Sequence, residues 1–414
     1  MHTPVDRFSL AFTLIGLLLG TTAHAQSQSP PPPTTVDASE GGVTFSSGPN
    51  SLSIGARMQF RWTFEDRGEV DADEAGSGFG RADGWSGRFD IPQMRVTLSG
   101  GVYRPWLRYS FQYEFGRTSG ESSSKIKDAY IEIRPAGTPY RVRLGQFKAP
   151  FGLQQQTSSG RLQFAKRAIT DSKFNPGRDM GVMVSGTAAD RKVGYEAGLF
   201  NGSGESVRQN TRSHLVAGRV YVQPFGTYSL SEGSSDLDAG DAPVLHVGFG
   251  ARTGKQVRGR TASDVFEDAD NQSAFNGEFA FKAPRFFTTA EYFWMSDEQD
   301  NPVAGPTIDS RGFHAQASYM LLPRRVEAGL LFARITPDSE IDDAEITELR
   351  GVVNYYWRAH NLKLQADIGQ LGYGENFGTL SSRARQGLPS LGPRLVSGEK
   401  LTDTQLRVQM QVSF

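Results

Sequence analysis

The sequence predicts an all-β fold, a transmembrane antiparallel β-barrel of sixteen strands, and three observations support this prediction. Polar and apolar residues alternate in sixteen segments, the connections between the segments fall into short and long kinds, and the only long apolar run lies near residue 1. Alternation of period two describes a strand with one apolar and one polar face. Closing such strands into a barrel satisfies every backbone hydrogen bond inside a membrane.

The last nine residues show the alternation most clearly. Leu406, Val408, Met410, Val412 and Phe414 alternate without interruption with polar residues. An aromatic residue that ends an alternating strand resembles the terminal signature of bacterial outer-membrane barrels. We therefore expect an outer-membrane protein of a Gram-negative bacterium whose final strand is recognised by the barrel-assembly machinery. This strand should pair with the first one near Leu52–Phe64 and should point Arg407 inward.

The other segments follow the same pattern with differing regularity. An even number of strands is typical of single-chain bacterial barrels, because both ends of the barrel then lie on the periplasmic side. The sixteen predicted strands occupy residues 52–64, 93–98, 107–115, 126–134, 141–147, 180–187, 194–201, 214–223, 243–251, 273–282, 286–295, 311–321, 326–336, 346–357, 362–369 and 401–414.

Short and long connections are expected to lie at opposite ends of the barrel, as periplasmic turns and external loops. The short ones are 100–105, 135–140, 323–325 and 358–360. The long ones are 65–88, 148–178, 252–270, 296–309 and 372–400. One connection, 224–242, is long although it falls among the short turns.

The chain divides into three expected parts. Residues 1–25 resemble a secretory signal peptide, with an apolar run from Phe8 to Gly20 that is too short to span a membrane as a helix. Residues 26–50 form a polar, proline-rich leader, and residues 51–414 form the barrel. Lysine and arginine number 44 against 45 acidic residues, so nothing indicates a nucleic-acid partner. Cysteine is absent, which excludes a disulfide framework.

With the apolar face toward lipid, the polar face lines a lumen that is rich in arginine over the first five strands. These inward arginines would favour anions if they remain free, whereas pairing with carboxylates would only order the lumen. The arginines are Arg57, Arg61, Arg95, Arg108, Arg134, Arg141 and Arg143. Inward acids over the same strands are Glu114, Asp128 and Glu132.

The segment 148–178 concentrates positive charge. From Arg141 to Arg178 there are eight cations and one acid, Asp171. A solvated external loop would explain the charge, but the aromatic and apolar residues within it favour packing against another part of the protein. We expect an inward-folded constriction loop that narrows the barrel.

Several motifs of this region together resemble the phosphate-selective porin O and P family. The motifs are Val142–Leu153 (VRLGQFKAPFGL), Thr157–Ser159, Lys166-Arg167 and Gly177–Gly181, with Asp128–Tyr130 before them and Leu199–Gly202 after them. The resemblance is dense over about residues 90–202 and diffuse elsewhere.

The resemblance implies a homotrimeric outer-membrane porin whose constriction binds small anionic solutes, with phosphate-type anions among them. On this basis the candidate solute site consists of Arg167, Lys166, Ser158, Ser159, Asp128 and Arg161. Pro92 and Gln93 stand where phosphate-selective members have paired arginines, and Gln155 stands where they have a loop lysine. Fewer cations are therefore expected to converge on an anion here.

The resulting prediction is a passive channel with no enzymatic activity, cofactor or metal, surrounded by outer-membrane lipid and lipopolysaccharide. The acidic stretches 65–74 and 338–348 lack the spacing of a calcium loop. Two alternatives stay open. A barrel enzyme would need a Ser–His or Asp–His pair at the rim, and an adhesin or structural barrel would not conduct.

Overall fold

The structure is a computed structural model in which described residues cover most of the barrel. They are 33–38, 42–68, 84–116, 125–207, 214–238, 242–256, 270–298, 306–391, 398 and 400–414. The expected signal peptide, residues 1–25, lies outside them.

Sixteen antiparallel strands form the barrel within the described residues. We number them β3 to β18 because two short strands, β1 (Thr35–Asp37) and β2 (Val43–Ser47), precede them. Each predicted segment lies within or overlaps one of them, so the strand count of the sequence analysis is confirmed. The bounds are β3 Asn50–Arg67, β4 Gly84–Val102, β5 Arg104–Glu114, β6 Lys125–Ile133, β7 Tyr140–Lys148, β8 Arg178–Ala188, β9 Val193–Phe200, β10 Leu215–Val222, β11 Val244–Gln256, β12 Asp270–Ala283, β13 Phe286–Glu298, β14 Ile308–Leu322, β15 Val326–Thr336, β16 Ile346–Arg358, β17 Leu362–Tyr373 and β18 Leu401–Ser413.

The barrel closes where β18 pairs with β3. Phe64 lies opposite Leu406 and Met58 lies opposite Val412, as the alternation of the two strands predicted. Arg407 points inward, where its Nη1 donates to Asp367 Oδ1 at 3.0 Å. Every other barrel strand pairs with its neighbours in the sequence.

Burial is inverted relative to a water-soluble protein. On β3, Gln59 is 1% exposed whereas the adjacent Phe60 is 46% exposed. The same contrast recurs around the barrel because polar side chains point into a crowded interior and apolar ones point outward. An outward apolar surface of this kind suits hydrocarbon rather than water.

The strand β4 begins nine residues before the regular alternation that predicted it. Its register against β3 shifts between Gln59 and Arg61, which lie opposite Gln93 and Asp90. Pro92 lies at this bulge, and proline inside a sheet is tolerated at bulges because it cannot donate to the ladder. The bulge interrupts the period of two, so the sequence pattern did not reveal the part of β4 before residue 93.

Two short strands precede the barrel and were not predicted. The strands β1 (Thr35–Asp37) and β2 (Val43–Ser47) form a hairpin, and β2 pairs with the first residues of β3. Immediately after these residues along β3, Ala56 exchanges two backbone hydrogen bonds with Phe414, at 2.8 and 3.0 Å. The hairpin thus continues along β3 beyond the point where β18 ends.

Helical structure in the described residues is confined to short pieces in the connections. They are α1 Leu153–Gln156, α2 Ile169–Phe174 and the 3-10 turns Ser159–Arg161, Ser235–Asp238 and Phe377–Thr379. The α2 residues Ile169 and Phe174 pack inside the barrel against strand residues and against the connection that contains Phe377. None of the described helices has the length and apolarity needed to cross a membrane.

Candidate functional site

The connection between β7 and β8, residues 149–177, lies inside the barrel and is held there by the inner faces of distant strands. We call it the inner loop. Its backbone N–H groups donate to buried carboxylates of β13, β16 and β17, and its carbonyl groups accept from long side chains of β3, β16, β17 and β18. The donor contacts are Leu153 N to Glu291 Oε2 (2.6 Å), Gln154 N to Glu291 Oε1 (2.7 Å), Ala165 N to Asp367 Oδ2 (2.9 Å) and Ile169 N to Glu348 Oε2 (2.9 Å). The acceptor contacts are Ala165 O from Arg61 (2.8 Å), Lys166 O from Arg350 (3.0 Å), Leu162 O from Lys363 (2.6 Å) and Gly160 O from Gln411 (2.8 Å).

Two glycines give the inner loop its sharp entry and exit. Gly152 has φ of 75° and Gly177 has φ of 80°, values that residues with a Cβ atom rarely adopt. Gly152 turns the chain into α1, and Gly177 accepts a backbone hydrogen bond from Ala149 at 3.0 Å. Both belong to the motifs that carried the family resemblance.

The inner loop meets β3 and β4 at Ser158 and Ser159. Arg57 donates to the hydroxyl groups of both serines, at 3.1 and 3.2 Å. Arg95 donates to Ser159 Oγ at 3.1 Å and forms an ion pair with Glu114 at 2.5 Å. Two predicted lumen arginines and two predicted loop serines therefore lie at one place.

Three further cations surround this contact, and we call the five together the cation cluster: Arg57, Arg95, Lys148, Arg167 and Arg178. Arg167 lies within electrostatic range of Arg57 and Arg95, and it donates to Thr157 O at 2.7 Å. Lys148 and Arg178 lie opposite each other in the ladder at the base of the inner loop.

The carboxylates beside the cation cluster do not balance its charge. Glu114 pairs with Arg95, Asp128 pairs with Arg178 at 2.9 Å, and Asp171 lies 3.7 Å from Arg167. Five cations against these three acids leave an excess of two positive charges in a restricted part of the lumen. Such an excess attracts anions and repels cations.

The positions that depart from the phosphate-selective pattern lie in or next to the cluster. Gln93 accepts a hydrogen bond from Ser159 Oγ at 2.9 Å, so a neutral amide occupies the centre of the contact. Gln155 is buried in the inner loop, and its backbone carbonyl oxygen accepts a hydrogen bond from Lys148 Nζ at 2.6 Å. Pro92 lies in the bulge of β4. None of the three adds a cation.

The remaining predicted loop cations, Lys166 and Arg161, lie outside the cluster on opposite sides of the inner loop. Lys166 is exposed to the lumen beside Arg61, Arg88 and Arg407, toward the end with the long connections. Removal from bulk water, together with Arg407 and Arg61, lowers the pKa of the Lys166 ammonium to about 8. Arg161 lies on the other side, where its carbonyl accepts from Glu232 N at 2.9 Å.

The position of Lys166 leads to a pH prediction. A lysine is charged below its pKa, so its contribution to anion preference is complete below pH 7 and is lost as the pH rises through about 8. The charged groups that surround Lys166 are Glu65, Arg61, Arg88 and Arg407. We expect the reversal potential in a salt gradient to show a step centred near this pH. Lys166→Gln should abolish the step, and a step of equal size in the variant would contradict the assignment.

The four other predicted lumen arginines lie nearer the short turns. Arg134 and Arg143 both pair with Glu132, at 2.5 and 2.6 Å, so these two match the ion-paired alternative. Arg141 donates to Ser185 Oγ at 2.9 Å, and Arg108 is exposed beside a polar cavity of about 340 Å³.

The long connection among the short turns also enters the barrel with its buried residues 231–235. We call the described part of this connection, residues 223–238 and 242–243, the inner turn. Glu232 is 2% exposed and its carboxylate accepts from Gln163 N at 2.7 Å and from Gln154 Nε2 at 3.0 Å, both in the inner loop. His360 contacts Glu232 O at 2.8 Å. The inner loop and the inner turn therefore meet inside the barrel from opposite ends.

Sequence reasoning found most of the polar residues at the contact but missed Lys148 and Arg178 as members of the cluster. Their positions as the last residue of β7 and the first of β8 could have indicated them, because residues that flank a loop lie at its base. The role of Glu232 had no sequence signal, since it depends on where the inner turn folds.

A closed barrel with an apolar exterior, a polar lumen and an inserted loop defines a porin, a passive channel of the Gram-negative outer membrane. The sequence profile of the phosphate-selective porin O and P family matches residues 64–376. The chain belongs to this family. We found no curated protein sequence that matches it.

Solved structures with the same fold are distant in sequence. An anion-selective porin from Comamonas acidovorans shares 15% identity, with a TM-score of 0.57 over 88% of this chain and 100% of that one. The outer-membrane channel DcaP of Acinetobacter baumannii shares 12% identity, with a TM-score of 0.55 over 89% of this chain and 99% of that one. The trimer form of OmpT from Vibrio cholerae shares 11% identity, with a TM-score of 0.52 over 87% and 99%.

Proposed function

We propose that this porin prefers small anions and that the cation cluster is its selectivity site. The observation that carries the proposal is the excess of two positive charges where the inner loop meets β3 and β4. Charges in a narrow region with low-dielectric walls act on passing ions more strongly than charges in open water. The anion selectivity of the Comamonas acidovorans porin, which has the same fold, agrees with this proposal.

We further propose that the channel has no tight phosphate site. Phosphate binding needs several convergent donors, whereas Arg57 and Arg95 already donate to Ser158, Ser159 and Glu114. Gln93 contributes an amide where a further cation would be needed. Phosphate is therefore expected to pass as one small anion among others.

Planar-bilayer recordings test both parts of this proposal. In a tenfold potassium chloride gradient the reversal potential should have the sign of an anion-preferring channel, and a cation-preferring sign would overturn the proposal. Conductance should rise in proportion to phosphate concentration through the low millimolar range. Saturation there would reveal a specific phosphate site and contradict the second part.

The family and the fold support a proposal for the assembly and the partners. We propose a homotrimer, which the trimer form of OmpT supports as a precedent for this fold. Lipid and lipopolysaccharide would cover the remaining outer surface, and the assembly machinery would recognise β18. The mass of the detergent-solubilised protein distinguishes a trimer from a monomer.

Enzymatic activity forms no part of the proposed function. A barrel enzyme would need an accessible histidine next to a nucleophile or carboxylate. His314 is buried against Thr170 of the inner loop at 2.7 Å, and His246 is buried against Glu278 at 3.0 Å. Both histidines contribute to packing inside the barrel rather than to a rim site.

A further inference from the structure

The outer surface of the barrel carries an apolar groove across β13–β17, near the end with the short turns. The groove is open on its outer side and has a volume of about 640 Å³. Phe286 and Tyr319 border it on the side of the short turns.

The groove arises from the arrangement of small and large residues in the ladder. Four small residues form its floor and alternate with Leu330, Val353 and Ile368, which project outward and are between 52 and 66% exposed. The floor residues are Ala317, Ala328, Gly351 and Ala366. Ala317 lies opposite Leu330, and Leu330 lies opposite Gly351, so adjacent strands supply a floor and a ridge in turn.

Four arginines lie in the three short turns beneath this groove: Arg285, Arg324, Arg325 and Arg358. Residues 284–285, 323–325 and 358–361 are all described and include no carboxylate. Arg324, Arg325 and Arg358 are exposed. Short turns of outer-membrane barrels face the periplasm, so this positive charge lies at the level of the periplasmic leaflet.

Arg285 connects the charged turns to the groove. Its guanidinium lies 4.9 Å from the ring centre of Tyr319, which lines the groove. Its Nε and Nη2 donate to the carbonyl groups of Met320 and Leu321, both at 3.0 Å. These bonds hold the guanidinium at the end of the groove, and within the described part of the chain its Nη1 makes no hydrogen bond.

We infer that the groove and these arginines form a binding site for one anionic phospholipid of the periplasmic leaflet. The phosphodiester lies at the arginines, which recognise phosphate through paired N–H groups, and an acyl chain lies on the small residues of the floor. The apolar floor supplies affinity in proportion to the methylene groups it covers.

Charge complementarity favours this occupant over a second copy of the chain. The other short turns expose Arg104, Arg191 and Lys192 and one acid, Asp190, so a second copy docked at this level would bring a net positive surface against the four arginines beneath the groove. In the described part of the chain, the nearby acids form no ion pair with the guanidinium groups of these four arginines. Asp236 accepts from Arg285 N at 2.8 Å, and Asp238 pairs with Lys282 inside the barrel at 2.5 Å.

Native mass spectrometry of the full-length protein, titrated with phosphatidylglycerol or phosphatidylcholine, tests the inference. Phosphatidylglycerol should bind at one molecule per chain and at least fivefold more tightly than phosphatidylcholine. Arg324→Gln with Arg325→Gln should remove this preference. Gly351→Leu should weaken both lipids about tenfold by filling the floor, and it fits the barrel because a Cβ atom there would lie 3.7 Å from Leu330.

The matched control is Arg104→Gln with Lys192→Gln, which removes two exposed cations from other short turns. It should bind phosphatidylglycerol like the wild type. Heat-modifiable migration on gels verifies that each variant retains the barrel. Equal binding of the two lipids by the wild type would overturn the inference, and so would an equal loss of phosphatidylglycerol binding in the control. A Gly351→Leu variant that changes its oligomer mass but still binds lipid like the wild type would also overturn it.

Discussion

Replacing Arg57 and Arg167 together with glutamine should lower the anion-to-cation permeability ratio about tenfold at low salt. The double variant leaves three cations of the cluster against Glu114, Asp128 and Asp171, so its excess charge falls to zero. One unit charge at 4 Å changes the energy of an ion by about 1 kcal/mol even in bulk water, or about fivefold in population. The reversal potential in a potassium chloride gradient measures the ratio, and raising the salt concentration should reduce the difference.

Two comparisons separate this charge effect from damage to the inner loop. Arg57→Lys with Arg167→Lys retains the charge but loses the paired donors of Arg57 to Ser158 and Ser159 and those of Arg167 to Gln154 O and Thr157 O. This variant should keep the preference within about twofold. Arg108→Gln with Arg141→Gln removes two lumen charges near the short turns and should change the ratio less than twofold. If this second pair shifted the ratio as much as the first, the cation cluster would not be the selectivity site.

The barrel was predictable because its determinants are local. Each strand presents alternate residues to lipid and to the lumen, so the period of two is visible in segments such as Leu52–Phe64 without knowledge of their partners. The pattern failed where local geometry broke the period. Pro92 lies in a bulge of β4, and the register against β3 shifts there, so the residues before the bulge are out of phase with those after it.

The candidate site was predictable only in part. The inward direction of Arg57 and Arg95 follows from their positions in the alternation of β3 and β4. The family motifs indicated Ser158 and Ser159 as site residues. Their meeting depends on bonds between residues about a hundred positions apart, which no local pattern encodes. The same limit explains why Arg161 and Lys166, close to the serines in sequence, lie outside the cluster.

The inner turn illustrates the limit most clearly. Its length marked it as irregular among the short turns, but its residues carry no motif that indicates a position inside the barrel. The position depends on Glu232 reaching two groups of the inner loop and on Asp238 reaching Lys282. All of these partners are distant in sequence, so the contact appears only in the folded chain.

Glu232→Ala should loosen the inner loop and change the open channel, which is the second large effect we expect. The substitution leaves Gln163 N–H and the Gln154 amide without their buried acceptor. Hydrogen bonds to a charged group contribute about 1.5–3 kcal/mol each, so losing two should raise the population of displaced loop conformations at least a hundredfold. Single-channel recordings should show greater open-channel noise and a conductance altered by about half or more.

Asp236→Ala is the matched control, because Asp236 lies on the same inner turn and accepts from Arg285 N rather than from the inner loop. It should leave noise and conductance unchanged. Glu232→Gln should show a smaller effect of the same kind, since its one amide oxygen can accept from Gln163 N–H or from Gln154 Nε2 but not from both. If both Glu232 variants combine normal heat-modifiable migration with the noise and conductance of the wild type, that result would show that the inner turn fills the lumen without positioning the inner loop. Altered channels in the Glu232 variants alone would instead make Glu232 a positioning residue for the cation cluster, because the loop that it holds carries Ser158, Ser159 and Arg167 to the strands.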